Sequence, residues 1–274
     1  MTTPVTDKVP TFEEYAALFA AHGDSGAEYL RRHFPRFAAT KQRLFSHRNR
    51  PAGNQVLDVG AHWLHQAVLY AIDGFAVTAL DLPATLDLDS VRTLAQAHSI
   101  RLLPNADLEY PTALKDIADD TFDIVLFTEV IEHLAFNPVA MWREIYRVMK
   151  PGARVVVTTP NYYALRTRLR QSARTLRLLG GSVPVEQVLF LHTLGHHWKE
   201  YSRRELIRYF ALLSRDFTCR NFAYAEAYQP AMLQRTGGAI VRWLEHAIRP
   251  IRPDLYLEIE LTRKDKGIVV EPHW

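Results

Sequence analysis

The chain has 274 residues, 48% of them hydrophobic and 23% charged, with a net charge of +3. That balance excludes a disordered or collagen-like chain, and the length suits one large domain or one domain with a cap. A single cysteine, Cys219, excludes a disulfide scaffold and a cysteine-rich zinc site, no apolar run approaches the roughly 20 residues of a membrane span, and the small positive excess gives no general argument for nucleic acid.

Residues 1–10 are polar, without the apolar core of a secretory signal, and a cytoplasmic chain is expected. Phe12, Tyr15, Leu18 and Phe19 at helical spacing predict a helix over 11–21, with Thr11 and Glu14 as a capping box. A second helical stretch covers about 25–45 and is expected to be interrupted at Pro35, with its Arg and Lys residues on a solvated face. From Gln55 the texture changes. Strands are predicted at 55–60, 75–81, 100–103, 122–127 and 153–159, the first ending in a glycine turn. Helices are predicted at 90–98 and 141–149, and Lys150-Pro151-Gly152 is a sharp turn. A helix over 204–213 leads to 217–225, and an amphipathic helix falls within 237–253. The alternating run 255–262 predicts an edge strand. Strands alternating with helices imply a parallel sheet covered on both faces.

In an open α/β sheet, ligands bind beyond the carboxyl ends of the strands. Here those ends carry Asp58 and Gly60, then Asp81, Asp107, and Thr128 with Glu129. A carboxylate closing the second strand suits a ribose diol, a device that NAD enzymes share. The whole set decides: Val56–Gly60, Val77–Asp81, Asp107–Glu109, Phe122–Leu134, Met149–Gly152 and Thr158–Asn161 resemble the class I S-adenosylmethionine-dependent methyltransferases. The resemblance implies a Rossmann-like α/β fold: a mostly parallel seven-stranded sheet with helices on both faces. It implies an N-terminal helical cap over 1–50 and a methyltransferase domain over 51–274, with a lid insertion at about 162–199. It further implies that Asp58 and Gly60 adjoin the methionine part of S-adenosylmethionine, that Asp81 binds the ribose, and that Asp107 with the Leu108 backbone reads the adenine edge. Thr128 and Glu129 would line the methyl-transfer cleft, and Ala61, His62 and Leu82 would complete the cofactor contacts.

The family's first loop usually carries glycines at alternate positions, whereas Gly60-Ala61-His62-Trp63-Leu64 keeps only the first. His62 and Leu64 must then take ordinary backbone conformations or bear strain. The departure reads as a tolerated variation, a lost cofactor or a changed cofactor pose. Trp63 reads as packing.

Glu129, Glu132 and His133 have the i, i+3, i+4 spacing of one helix face. Two carboxylates and an imidazole suit a divalent cation, Mg or another, with His197 from the stretch 195–206 as a further ligand. This pattern resembles small-RNA 2′-O-methyltransferases and ubiquinone-pathway O-methyltransferases, and methyltransferases of glycan-assembly loci carry both stretches too. Alternatively Glu132 and His133 only cap and order the helix. Without a metal, His133 or His197 is a candidate general base, and Glu129 joins the candidate catalytic set.

Arg166, Arg168, Arg170, Arg174 and Arg177 occur with no acid between Tyr162 and Val185. They read as a solvated lid helix, as a peripheral contact with anionic membrane through 162–179, or as recognition of a phosphate-bearing substrate. RNA is the weakest reading. Val188–Leu191 would close over the acceptor, and Tyr224, Tyr228 and Gln229 would border it. The expected reaction is methyl transfer to a sugar hydroxyl of a glycan or glycolipid precursor. The alternatives are a phenol of a quinone-type or other small molecule, an RNA ribose 2′-hydroxyl, and a non-catalytic binding subunit. No oligomeric state follows from the sequence.

Overall fold

A computed structural model of the chain describes residues 9–23, 26–46, 51–177, 183–225 and 238–273. The apolar runs form strands β1 (Gln55–Val59), β2 (Ala76–Asp81), β3 (Arg101–Pro104), β4 (Phe122–Thr128), β5 (Met149–Pro160), β6 (Phe217–Ala225) and β7 (Asp254–Leu261). They make one seven-stranded sheet in the order β3-β2-β1-β4-β5-β7-β6. The first five strands are mutually parallel, and β7 is antiparallel to both β5 and β6. Strand order reverses between β1 and β4, where the connections leave in opposite directions and open a crevice beyond the strand ends. Asp58 on β1 is in register with Leu126 on β4, so Gly60 and Thr128 border that crevice.

Side chains alternate across each strand, which supplies two separate core layers. On one face Val56, Val77, Ile124 and Val156 pack against Tyr15 and Phe19 of α1 (Phe12–Ala20) and Leu30, Phe34 and Phe37 of α2 (Ala27–Ser46). The Thr11–Glu14 capping box starts α1 as expected. The same layer takes Val68 and Leu69 of α3 (Ala67–Ala71), Leu86 of α4 (Pro83–Leu86) and Val91 and Leu94 of α5 (Asp89–Ala97). On the other face Leu57, Val125, Val155 and Leu257 pack against Trp142 and Ile145 of α6 (Val139–Val148). The chain then continues through α7 (Leu165–Leu176), α8 (Val185–Phe190), α9 (Arg203–Leu213) and α10 (Gly238–Ala247), with Leu206 and Phe210 of α9 in the second layer. Among the described residues, no helix is long and apolar enough to cross a membrane.

Besides the sharp turn expected at Lys150-Pro151-Gly152, which lies within β5 with Gly152 at φ 85°, three sequence expectations are corrected. First, α2 runs unbroken through Pro35. Proline removes the N–H that the Arg31 carbonyl would accept; both residues are exposed, so water can replace that bond while the apolar face holds the helix. Second, two cations of that helix are not solvated: Arg36 and Lys41 are 8% and 1% exposed. Lys41 Nζ lies 2.5 Å from Asp73 and donates to the Leu69 carbonyl at 2.6 Å. Third, β7 is an interior strand, and β3 and β6 are the edges. Its polar phase is satisfied within the sheet, because the fully buried Glu258 accepts from Arg154 Nη1 at 2.8 Å, Asn221 Nδ2 at 2.9 Å and Tyr256 Oη at 2.8 Å. Arg154→Met is therefore expected to destabilise the fold by about 3–5 kcal/mol, since it strands a buried carboxylate. Chemical denaturation measures this, and a loss below about 1 kcal/mol would contradict the account.

Candidate active site

The turn after β1 shapes the crevice. Gly60 has φ 74°, and a Cβ there would lie 2.7 Å from Val130 Cγ2. His62 and Leu64 also take left-handed conformations, at φ 48° and 64°. Both positions are left-handed without glycine, so the strained alternative is the one realised. Such residues cost on the order of 1–3 kcal/mol each and survive only where the surroundings fix them. Here the His62 N–H donates to Asp81 Oδ2 at 2.7 Å, and the Leu64 N–H donates to the Ala61 carbonyl at 2.8 Å. The Leu64 side chain is fully buried, and the His62 ring lies 4.0 Å from Trp63 and 5.0 Å from Tyr29 between centroids.

A small cavity opens over this turn. Asp58, Gly60, Ala61, His62 and Thr128 line it, together with Tyr29, Arg36 and Phe37 of α2, and His65 and Gln66. Asp81 stands behind the turn, with Oδ1 accepting from the Leu82 N–H at 2.6 Å. Asp107 lies on the next loop, where its Oδ1 accepts from the Glu109 N–H at 2.8 Å, and Leu108 follows it half-buried. Asn105 ties the two loops together. Its N–H donates to the Asp81 carbonyl at 2.9 Å and its Nδ2 to the Asp107 carbonyl at 2.6 Å. Asp58 Oδ2 has no hydrogen-bond partner among the described residues. Burial, and then the charge of Asp81, pushes the Asp58 carboxyl up to about 8.

Glu129, Glu132 and His133 do not start an α-helix. Glu129 is left-handed at φ 55°, and Ile131–His133 form a 3₁₀ turn. This path separates Glu129 from the other two: its Oε2 pairs with Arg36 Nη1 at 3.1 Å. Glu132 is fully buried; its Oε2 accepts from Thr159 Oγ1 at 2.8 Å, while Oε1 has no hydrogen-bond partner among the described residues. His133 Nδ1 lies 3.0 Å from the His196 carbonyl, and its ring centroid is 4.8 Å from that of His197. His197 is delivered by backbone pairing: the Trp198 N–H donates to the Glu132 carbonyl at 2.8 Å, and the Tyr162 N–H to the Tyr201 carbonyl at 3.0 Å. Ligating atoms of Glu132, His133 and His197 lie within 4.8 Å of one another, and Glu129 is not among them. Burial lowers the pKa of His133 and raises that of Glu132, favouring the neutral form of each.

A second, solvent-open cavity lies between α7 and residues 195–200. His197 lines it, so the histidine cluster adjoins this space on one side, while Thr128, next to Glu129, lines the first cavity. The apolar run Val188–Leu191 does not close over it; Leu189 and Phe190 are 70% and 82% exposed. Tyr224 is half-buried on β6, and Tyr228 and Gln229 lie outside the described residues.

A family model described as Methyltransferase domain matches residues 29–218. The chain belongs to the class I S-adenosylmethionine-dependent methyltransferases. This methyltransferase is 30% identical over 114 residues to the ubiquinone biosynthesis O-methyltransferase of Pseudomonas putida, covering 40% of this chain and 46% of that protein. It is 29% identical over 107 residues to phosphoethanolamine N-methyltransferase 3 of Arabidopsis thaliana, covering 39% of this chain and 21% of that protein. The matched segment thus spans less than half the length of these curated relatives. Among solved structures, Burkholderia thailandensis 1,6-didemethyltoxoflavin-N1-methyltransferase, with bound 1,6-didemethyltoxoflavin and S-adenosylhomocysteine, superposes with a TM-score of 0.52. That superposition covers 95% of this chain and 94% of that one at 16% identity. A Pyrococcus horikoshii protein superposes with a TM-score of 0.53, covering 83% and 90% at 15% identity. These likenesses show the fold.

Arg36 and Tyr29 were not among the expected site residues. A signal for buried cations on α2 exists in the sequence, because Lys41 falls on the stripe formed by Leu30, Phe34, Phe37 and Leu44, with Arg36 on its flank.

Proposed function

We propose that this methyltransferase transfers a methyl group from S-adenosylmethionine to a hydroxyl oxygen, with His133 as general base. The observation that carries the reading is the fixing of His133 beside His197. A neutral imidazole with Nδ1–H donating to the His196 carbonyl keeps Nε2 as the proton acceptor. The partial match to ubiquinone biosynthesis O-methyltransferases supports oxygen as the acceptor atom. The preferred acceptor is a sugar hydroxyl, which needs a base, whereas a phenol ionises with less help.

The chemistry of the residues around the first cavity suits the cofactor. The unpartnered Asp58 Oδ2 suits a cationic group, the Gly60 turn keeps open a space that a Cβ would narrow, and Arg36 suits a carboxylate. Asp58, Gly60, Ala61, His62, Thr128 and Arg36 would hold the methionine end, Asp81 and Leu82 the ribose, and Asp107 with Leu108 the adenine edge. Bound S-adenosylmethionine supplies an electrophilic methyl group. Asp81→Ala is expected to weaken cofactor binding by about 1.5–3 kcal/mol, the worth of hydrogen bonds to a charged group. Calorimetric titration measures this, and unchanged affinity would remove Asp81 from the site.

The Asp58 shift has a definite sign. Its folded value of about 8 exceeds the unfolded value, so the folded chain holds a proton that the unfolded chain lacks between those limits. Its contribution to the stability of the cofactor-free protein therefore falls as pH rises from about 4 to 8. A cationic cofactor favours the carboxylate, so binding should release a proton below pH 8 and tighten as pH rises. Titration in buffers of different ionisation enthalpy reads that proton, and no release at pH 7 would contradict it.

A second reading rests on the proximity of Glu132, His133 and His197. These residues would hold a divalent cation that supplies Lewis acidity to the acceptor oxygens. With Glu129 held by Arg36, the set has two nitrogens and one oxygen, which suits a transition metal better than Mg. Full activity after exhaustive chelation selects the base, and lost activity restored by a metal selects the ion.

A further inference from the structure

The second cavity is cationic by construction. Arg168, Arg170 and Arg174 line it from α7, and Lys199, which pairs with Glu205 at 3.0 Å, from the segment carrying His197. The acid among its lining residues is Glu200, which pairs with Arg168 at 3.1 Å; Arg168 also sits 3.9 Å from the Tyr162 ring centroid. Arg166, Arg170 and Arg174 recur every four residues, and like charges at that spacing destabilise a helix. Arg166 pairs with Glu245 of α10 at 2.9 Å. No residue of α7 is buried, so the helix presents these arginines at the surface of the cavity. Guanidinium groups present forked donors that match phosphate oxygens, and Thr167 and Gln171 add neutral donors between them.

We infer that this cavity is an acceptor subsite for a phosphate ester or diphosphate, placing the hydroxyl that neighbours the phosphorylated group against His197 and His133. The inference rests on the methyl-transfer reading for the placement of that hydroxyl; the anion site itself stands on the cavity. The adjoining α8 surface, with Leu189 and Phe190 exposed, continues the site as apolar ground for whatever the phosphate is attached to.

The test is calorimetric titration of the full chain with inorganic pyrophosphate, beside its Arg170→Gln/Arg174→Gln variant. Both side chains lie outside the core, and a thermal melt checks the variant's fold. Wild type should bind pyrophosphate at millimolar concentration or below, and the variant should bind about tenfold more weakly or worse, as expected for lost charged hydrogen bonds. S-adenosylmethionine titration should be the same in both. No pyrophosphate binding by wild type, or equal binding by the variant, overturns the subsite. Loss of attachment to phosphatidylglycerol vesicles with pyrophosphate binding unchanged also overturns it, because the arginines would then serve a lipid surface. Failure of wild type to bind S-adenosylmethionine would instead overturn the methyl-transfer reading, which the pyrophosphate titration does not depend on.

Discussion

His133→Ala is expected to lower kcat by about 10²- to 10⁴-fold, the usual contribution of a positioned general base. Cofactor affinity should stay within a factor of a few, because His133 does not line the first cavity. His133→Gln separates the base from the scaffold. Glutamine can keep a donor toward the His196 carbonyl but cannot take the proton, so it should preserve the thermal melt and still lose turnover. His197→Ala should cost less, since the carbonyl contact that fixes the base belongs to His133. A His133→Gln protein that keeps near-normal kcat would remove the base and leave the ion reading to explain the cluster.

Arg36→Met is expected to cost both stability and cofactor affinity. It leaves Glu129 without its cation in a site where Asp254 also faces the pair electrostatically; burial, then the Glu129 charge, raises the Asp254 carboxyl to about 8. Breaking a buried pair in this way should destabilise by about 3–5 kcal/mol. Arg36 also lines the first cavity, so cofactor affinity should fall in the same variant. The double variant Arg36→Met/Glu129→Gln distinguishes the two effects. Removing both charges should recover most of the stability, read by chemical denaturation, and should leave the loss of cofactor affinity in place. Recovery of both would make Arg36 a purely structural residue.

The strands were legible because each is a short apolar run bounded by Gly, Pro or Asp, and their carboxyl ends carried the residues now found around the crevice. Asp58, Gly60 and Thr128 needed no tertiary information beyond the sheet. Arg36 did. A cation on the flank of an apolar stripe looks solvated until the element that covers it is known, and its partner Glu129 lies 93 positions away in the chain. The placement of β7 failed for a related reason. Alternating Glu258 and Glu260 signal a solvent-facing side unless Arg154, on a different strand, pairs with them. The convergence of Glu132, His133 and His197 was anticipated, but through helical spacing that the backbone does not have. The residues meet because Trp198 pairs with the Glu132 carbonyl, a contact with no local sequence signature.

The left-handed positions at His62 and Leu64 bear on how the loop behaves before any ligand arrives. Glycine at those positions would leave the unfolded and unliganded chain many conformations to lose. A histidine leaning on Trp63 and a leucine sunk in the core leave it few, so most of the ordering is completed when the chain folds. Association should then show a smaller entropic penalty and little loop rearrangement. The same feature separates shape from spelling: a pattern search keyed to glycine letters passes over a turn whose torsions are intact, and a comparison of φ angles finds it.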